Sequence, residues 1–381
     1  MKGTVIKRGA SWSVVIDLGR DETGRRVRKW HSGYRTKKEA ERARIELLSR
    51  VDQGTYVEPS KVSLGAFLVQ EWLPAKRATL KETTLASYEM HVTKHIVPRI
   101  GGVPLLSVGA GHLNAFYADL LVDGRRNGSG GLAPSTVRRV HATVHKALAD
   151  AVRWGRVARN PADQADPPKE STAEMSIWTP EQLRVFLDSA RTDRLFAAWL
   201  MAATTGMRRG ELLGLRWSNL DLEAGAVSVR QIRTVARYRV LTQTPKTEKG
   251  RRTIALDPQT VLALRSYRLA QKEERILLGP DYANQEDLVF TKPDGSTIHP
   301  ERFSAWFKQR CRGSGLPVVR LHDVRHSYVT ALLAEGVPLK VVSQRIGHAS
   351  PMVTMTIYQH VLPGDDQAAA TIGARAILGD G

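Results

Sequence analysis

Apolar and polar side chains alternate along residues 4–6, 12–18 and 26–31, which predicts three short strands separated by turns. The period then lengthens. Thr36, Lys37, Lys38 and Glu39 form a capping-box sequence, and Ala40, Ala43, Leu47, Leu48 and Val51 fall on one face of the helix it opens, with Gly54 as the stop. Residues 56–61, with Pro59 and Ser60, read as a linker. From there to about residue 160 the helical period persists. A second capping box, from Thr79 to Glu82, leads into a segment that stops at Pro98 and Gly101-Gly102; 112–122 makes a short helix, and the glycine-rich loop 123–131 follows. The longest helix starts near Pro134 and runs to Trp154, with Val137, Val140, Val144, Leu148 and Val152 on one face. Asn160-Pro161 and Asp166-Pro167-Pro168 end the block with a stiff linker.

A third block begins near residue 172. Thr179, Pro180, Glu181 and Gln182 open a helix whose apolar face is Leu183, Phe186, Leu187 and Ala190. A second helix ends at Thr204-Thr205-Gly206, and a third opens in 207–217. Residues 227–232, 238–242 and 253–256 predict a small antiparallel sheet. Helices follow at 257–278, at 300–312 and three times within 321–360. No internal repeat is present. The expected fold is multidomain and mainly α with small antiparallel sheets (α+β). Its parts are a three-stranded sheet plus helix at 1–55, a helical domain at 62–160 and a mixed α/β domain at 172–381.

Charge narrows the partner. The 381 residues hold 57 Lys+Arg against 38 Asp+Glu, a formal charge of +19, which points to a polyanion and first of all to nucleic acid. Residues 1–55 alone carry 14 basic side chains against seven acids. Arg26, Arg28 and Lys29 on the third strand are candidate DNA contacts, because a sheet backed by a helix fits a groove. Arg138, Arg139 and Lys146 on the polar face of the long helix are candidates too, and so are Arg251 and Arg252. The plain alternative for each is a solvated charged surface. No apolar run approaches the ~18 residues of a membrane span, and the start carries no apolar signal region, so neither membrane nor export is expected. The lone Cys311 fits a reducing, cytoplasmic setting.

Candidate chemistry concentrates near the end. His322 and Arg325 lie three apart in a predicted helix and share a face, so both can address one small anion. His322 and His326 also match a zinc-helix spacing with Asp323 in place of the usual Glu. Arg325 beside the metal and the shorter carboxylate argue against that reading. Arg208 and Arg209 follow the helix-ending Gly206, where a helix start and guanidinium groups suit an anion, and Glu211 is placed to orient Arg208. Lys246 sits in a turn between two strand patterns, where a lysine can donate a proton. Taken singly, each of these also reads as an ordinary surface or packing residue.

Together they read differently. In order, TGMRRGE (205–211), TPKTEKGRRTIAL (244–256), LHDVRHSY (321–328), IGHAS (346–350) and TIYQH (356–360) resemble the signature boxes of the tyrosine recombinase (phage integrase) family. More loosely, 62–160 resembles that family's core-binding domain and the basic start its arm-binding domain. The resemblance implies a tyrosine-recombinase catalytic domain with Arg208, Lys246, His322, Arg325, His348 and Tyr358 as catalytic residues. Tyr358 would be the nucleophile, forming a 3′-phosphotyrosine link and freeing a 5′-hydroxyl without metal or other cofactor. It further implies double-stranded attachment-site DNA as substrate, a homotetramer on that DNA, a DNA-bending accessory protein and an excision factor. The tail 365–381 reads either as a frayed end or as a helix that docks on a neighbouring protomer. A type IB topoisomerase-like enzyme and a DNA binder without catalysis are the competing readings. The separate basic start disfavours the first, and the intact set of six disfavours the second.

Overall fold

The computed structural model describes residues 3–20, 23–125, 127–169, 176–245, 250–348, 350–358 and 366–379, in two units, Met1–Thr172 and Ala173–Gly381. In the first unit the alternating start forms an antiparallel sheet in the order β1 (Gly3–Arg8), β2 (Ser11–Arg20), β3 (Arg26–Tyr34). Helix α1 (Lys37–Asp52) is capped as its sequence predicts, by Thr36 and Glu39. It packs on the sheet through Ala40, Ala43, Leu47, Leu48 and Val51, around Val14 and Ile16. The other sheet face carries Arg26, Arg28 and the half-exposed Trp30, with the Arg8 guanidinium 5.3 Å from the Trp30 ring. Lys29 does not join them. It sits opposite Ile16 on the helix side, as the two-residue period requires, and pairs with Glu58 at 2.6 Å. The linker is tied down at two points, since besides Glu58, Tyr56 packs on the same core and its hydroxyl lies 3.1 Å from His31 Nε2.

The helical part of this unit contains two broken rods. α2 (Leu64–Ala66) and α3 (Leu73–Arg77) are joined through π-helical Phe67–Trp72, and α4 (Glu82–His91) and α5 (Val97–Ile100) through π-helical Val92–Ile96. Each π segment runs up to a proline, Pro74 or Pro98. Proline lacks the N–H for an i−4 bond and its ring crowds that carbonyl, so one wide turn upstream, closed by an i−5 bond such as Leu73 N–H to Leu68 O, relieves the clash. The capping box expected at Thr79 does not form. Leu80 N–H and Thr79 N–H both bond back to Lys76 O as α3 unwinds, and α4 starts at Glu82 with Lys81 as its cap. After the 3-10 turn Leu105–Ser107, α6 (Ala110–Asp123) and α7 (Pro134–Arg153) complete the core. Asp150 of α7, 1 % exposed, accepts from Trp72 Nε1 (2.9 Å), Lys76 Nζ (2.6 Å), Arg153 Nη2 (2.7 Å) and Lys146 Nζ (3.2 Å). Lys146 thus leans on Asp150, while Arg139 is exposed and Arg138 donates to Pro168 O.

The second unit is built on an aromatic core in which Trp199 stacks on Phe303 and Phe307 meets Trp178 and Phe186. Helix α8 (Pro180–Ser189) has the predicted Thr179–Gln182 box, and α9 (Phe196–Thr205) and the five-residue α10 (Arg209–Leu213) follow. The strands form two sheets instead of one. β4 (Leu220–Asp221), β5 (Ala226–Val229) and β8 (Arg252–Ala255) make the first, and the hairpin β6 (Ile232–Ala236) with β7 (Arg239–Gln243) the second. The expected continuous strand 227–232 breaks because Gln231 turns to donate to Gly214 O at 2.7 Å. Among the described residues β7 pairs with β6 and β8 with β5, and the expected turn bearing Lys246 lies outside the described residues. Helices α11 (Pro258–Leu278), α12 (Pro300–Gly313), α13 (Leu321–Ala334), α14 (Leu339–Ile346), α15 (Pro351–Tyr358) and α16 (Asp366–Leu378) complete it.

Candidate active site

The site grows around the C-terminal end of α14. A helix leaves its last carbonyls without partners, and here Gly347 takes the left-handed conformation (φ 69°) that folds the chain back over them. His348 N–H bonds Ser343 O and Gly347 N–H bonds Gln344 O, both at 3.1 Å, which is the Schellman pattern. The next three carbonyls each receive an arginine from a different element. Arg252 Nε of β8 donates to Arg345 O (2.7 Å), Arg325 Nη2 of α13 to Ile346 O (2.7 Å), and Arg208 Nη2 to Gly347 O (3.2 Å). Cations at the negative end of a helix dipole are favoured, so this end gathers them.

Arg325 is 2 % exposed, and its Nη1 also donates to Gly206 O at 2.5 Å. Gly206 ends α9 in the left-handed region (φ 62°), where a Cβ would lie 2.7 Å from Tyr328 Cδ1. The chain then turns to Arg208, the cap residue of α10, whose side chain is 40 % exposed. Because α10 is five residues long, the guanidinium and not a helix start supplies the positive charge here. Glu211, 2 % exposed, accepts Arg208 Nη1 (2.9 Å) and the Arg208 N–H (2.9 Å), and both its oxygens take the forked guanidinium of Arg252 (3.1 and 2.9 Å). Burial pushes the Glu211 carboxyl pKa up, but the Arg252 hydrogen bonds and charge, with Arg208, outweigh it and hold the group below its usual range. Arg252, expected as a DNA contact, is thus nearly enclosed and engaged inside the protein, while its neighbour Arg251 is exposed.

His322 and Arg325 share a helix but not an environment. His322 opens on a cleft of about 700 Å³ lined also by Arg208, Arg209, Lys308 and Arg320, whereas Arg325 is enclosed behind it. The His322 ring meets His326 edge-on at 5.0 Å. Asp323, which stands where the zinc-helix pattern has its general-base Glu, holds Arg320 at 2.7 Å, and among the described residues no three His, Cys, Asp or Glu side chains gather as metal ligands. His348 Nδ1 lies 2.9 Å from the hydroxyl of the buried Thr354 on α15, which fixes the ring and leaves Nε2 outside that bond. Tyr358 closes α15, and its side chain, like the whole of Lys246, lies outside the described residues. Sequence reasoning missed Arg345, whose guanidinium donates to the Tyr328 hydroxyl and to Ala255 O and so ties α14 to α13 and β8. The available signal was a basic residue in a last helical turn.

Comparison with known proteins gives this arrangement its place. The description "Phage integrase family" matches residues 178–364, "Arm DNA-binding domain" residues 5–51, and "Phage integrase, N-terminal SAM-like domain" residues 66–121. A tyrosine recombinase XerC-like protein of Caldanaerobacter subterraneus subsp. tengcongensis is 30 % identical over 95 % of both chains. The chain belongs to the phage integrase family of tyrosine recombinases. It is therefore a site-specific recombinase by kinship. An integrase of Streptomyces ambofaciens is 26 % identical over 95 % of this chain and 92 % of its own. Among solved structures, the Tn1549 transposon integrase in complex with a circular intermediate DNA superposes with a TM-score of 0.67 at 20 % identity, over 82 % of this chain and 99 % of that one. A lambda integrase dimer bound to a COC′ core site gives 0.56 at 16 % identity, over 95 % of both. The recombinase fold is shared at these identities.

The two site histidines of this family member are held neutral. Burial first, then His326, Arg325 and Arg208, lowers the pKa of His322 to about 4; burial, Arg325 and Arg208 do the same for His348. Both folded values lie below the ordinary value near 6.5, so between about 6.5 and 4 the unfolded chain binds protons that the folded chain refuses. Stability contributed by these two groups is full above that window and falls as pH drops through it. Thermal unfolding of wild type followed from pH 7 to pH 4.5 is expected to show a steeper fall than that of the His322→Gln, His348→Gln double variant. Equal slopes for the two proteins would contradict the assignment.

Proposed function

We propose that the chain cuts and rejoins duplex DNA at attachment sites through a 3′-phosphotyrosine link, integrating or excising a phage or mobile element. The single observation that carries this reading is the convergence of Arg208, Arg325 and His348 on the last turn of α14, with His322 beside them and Tyr358 one helix away. Arg208 and Arg325 clamp the non-bridging oxygens as charge grows on them, Arg208 from the cleft side, where its side chain is 40 % exposed. Tyr358 Oη bonds to phosphorus as the 5′-oxygen leaves. A free tyrosine titrates near ~10, so the neutral His322 serves as the base that takes its proton. The incoming phosphate offsets the arginine charge and raises the histidine pKa toward neutrality, where such a base works best. Lys246 protonates the leaving 5′-oxygen, and His348 hydrogen-bonds the phosphate.

Because the phosphodiester is conserved as a phosphotyrosine, rejoining needs neither ATP nor a metal. The working parts are 1–55 for arm sites, 62–160 for the core site and 172–381 for catalysis. Arg26, Arg28, Arg138, Arg139, Lys146 and Arg251 make the phosphate contacts, and a homotetramer forms on DNA, aided by bending and excision factors. Exposed Ile377 and Leu378 on α16 support docking of the tail on a neighbouring protomer. Its place of work is the bacterial cytoplasm, on the nucleoid. A duplex nicked so that the cleaved fragment escapes should trap wild type as a covalent adduct on a denaturing gel. Tyr358→Phe should give none; an adduct that survives this change removes Tyr358 from the role.

A further inference from the structure

Arg252 joins the two halves of the phosphate clamp without facing the cleft. Its fork holds both oxygens of Glu211, which in turn holds the backbone and guanidinium of Arg208, and its Nε holds the carbonyl next to the one that Arg325 holds. The charge count matters as much as the geometry. Glu211 is a nearly enclosed carboxylate. With Arg208 as its sole cation it would neutralise the very guanidinium that must meet phosphate. With Arg252 as a second cation, one positive charge is left over on the cleft side, where Arg208 is 40 % exposed and Arg252 7 %.

We infer that Arg252 is a positioning residue for strand cleavage: it satisfies Glu211 so that Arg208 stays available to the scissile phosphate, and it sets the height of the α14 end that Arg325 of α13 grips and that His348 follows. This rests on the strand-transfer reading. Lysine cannot replace it, since a single ammonium cannot span two carboxylate oxygens and a carbonyl on the other side.

The test uses the full chain and a suicide duplex carrying its mapped cleavage site, with either a normal phosphodiester or a methylphosphonate at the scissile position. The methylphosphonate lacks one anionic oxygen and so needs less positive charge. Arg252→Lys and Arg252→Gln are expected to bind the duplex like wild type and to cleave the phosphodiester roughly 100-fold more slowly, as misplaced clamping groups do. On the methylphosphonate the defect should shrink to within roughly tenfold of wild type. An equal defect on both substrates, or one matched by lost DNA affinity, overturns the inference, because a merely structural role would not depend on the charge of the phosphate. If Arg252→Gln unfolds, Arg252→Lys carries the comparison. Failure of wild type itself to form an adduct would instead strike the strand-transfer reading.

Discussion

Arg325→Ala is expected to lose stability and strand cleavage together, whereas Arg208→Ala loses cleavage with little change in stability. The difference follows from enclosure. Arg325 is 2 % exposed and its two donations close the left-handed end of α9 against the last turn of α14, so truncation leaves Gly206 O and Ile346 O without those donors in a site water reaches poorly. Hydrogen bonds from charged donors are worth roughly 1.5–3 kcal/mol each, so about 3 kcal/mol is expected, or roughly 6–12 °C in Tm for a unit of this size. Cleavage should fall by at least about 10²–10³-fold, as when one oxyanion donor is removed. Arg208 is 40 % exposed, and its absence leaves Glu211 still held by the Arg252 fork. Denaturant unfolding and single-turnover cleavage of both variants check the contrast; equal stability losses would contradict it.

The other large effect lies in the first unit. Asp150→Ala removes the one carboxylate shared by Lys76, Lys146, Arg153 and the Trp72 indole, and strands the enclosed Lys76 ammonium, 9 % exposed, above the Trp154 ring. Breaking a buried pair from one side costs about 3–5 kcal/mol. Burial raises the Asp150 pKa, but Lys76, Trp72 and Lys146 lower it further, so the folded value lies below the ordinary one. A depressed carboxylate contributes stability above its unfolded pKa near ~3.9 and loses it as pH falls through the folded value. The wild-type advantage over Asp150→Asn should therefore be full at pH 6 and fade below about pH 4. A difference that stays constant down to pH 2 would contradict the ion cluster.

How much of this was legible follows from the range of each interaction. Thr36 and Thr179 cap their helices because the capping box is a four-residue event. Thr79 shows the same letters and caps nothing, since the preceding rod, widened before Pro74, unwinds through it. Alternation placed Arg26 and Arg28 on the open face of the sheet and would have placed Lys29 on the other. That Lys29 meets Glu58 and Arg252 meets Glu211 was not readable, because partners 29 and 41 residues away are chosen by tertiary packing. The catalytic candidates came from motif order. Spacing alone put His322 and Arg325 on one target, and the structure separates them into an open ring and an enclosed clamp.

The last turn of α14 also bears on the order in which the protein is made. Its three arginine contacts close chain loops spanning 139, 93 and 21 residues, and loops of the first two lengths are slow to close. A nascent or half-folded chain holds the charge to cling to DNA but no assembled clamp with which to break it. On the proposed reading, the capacity to nick DNA therefore arrives last in folding, after the capacity to bind it.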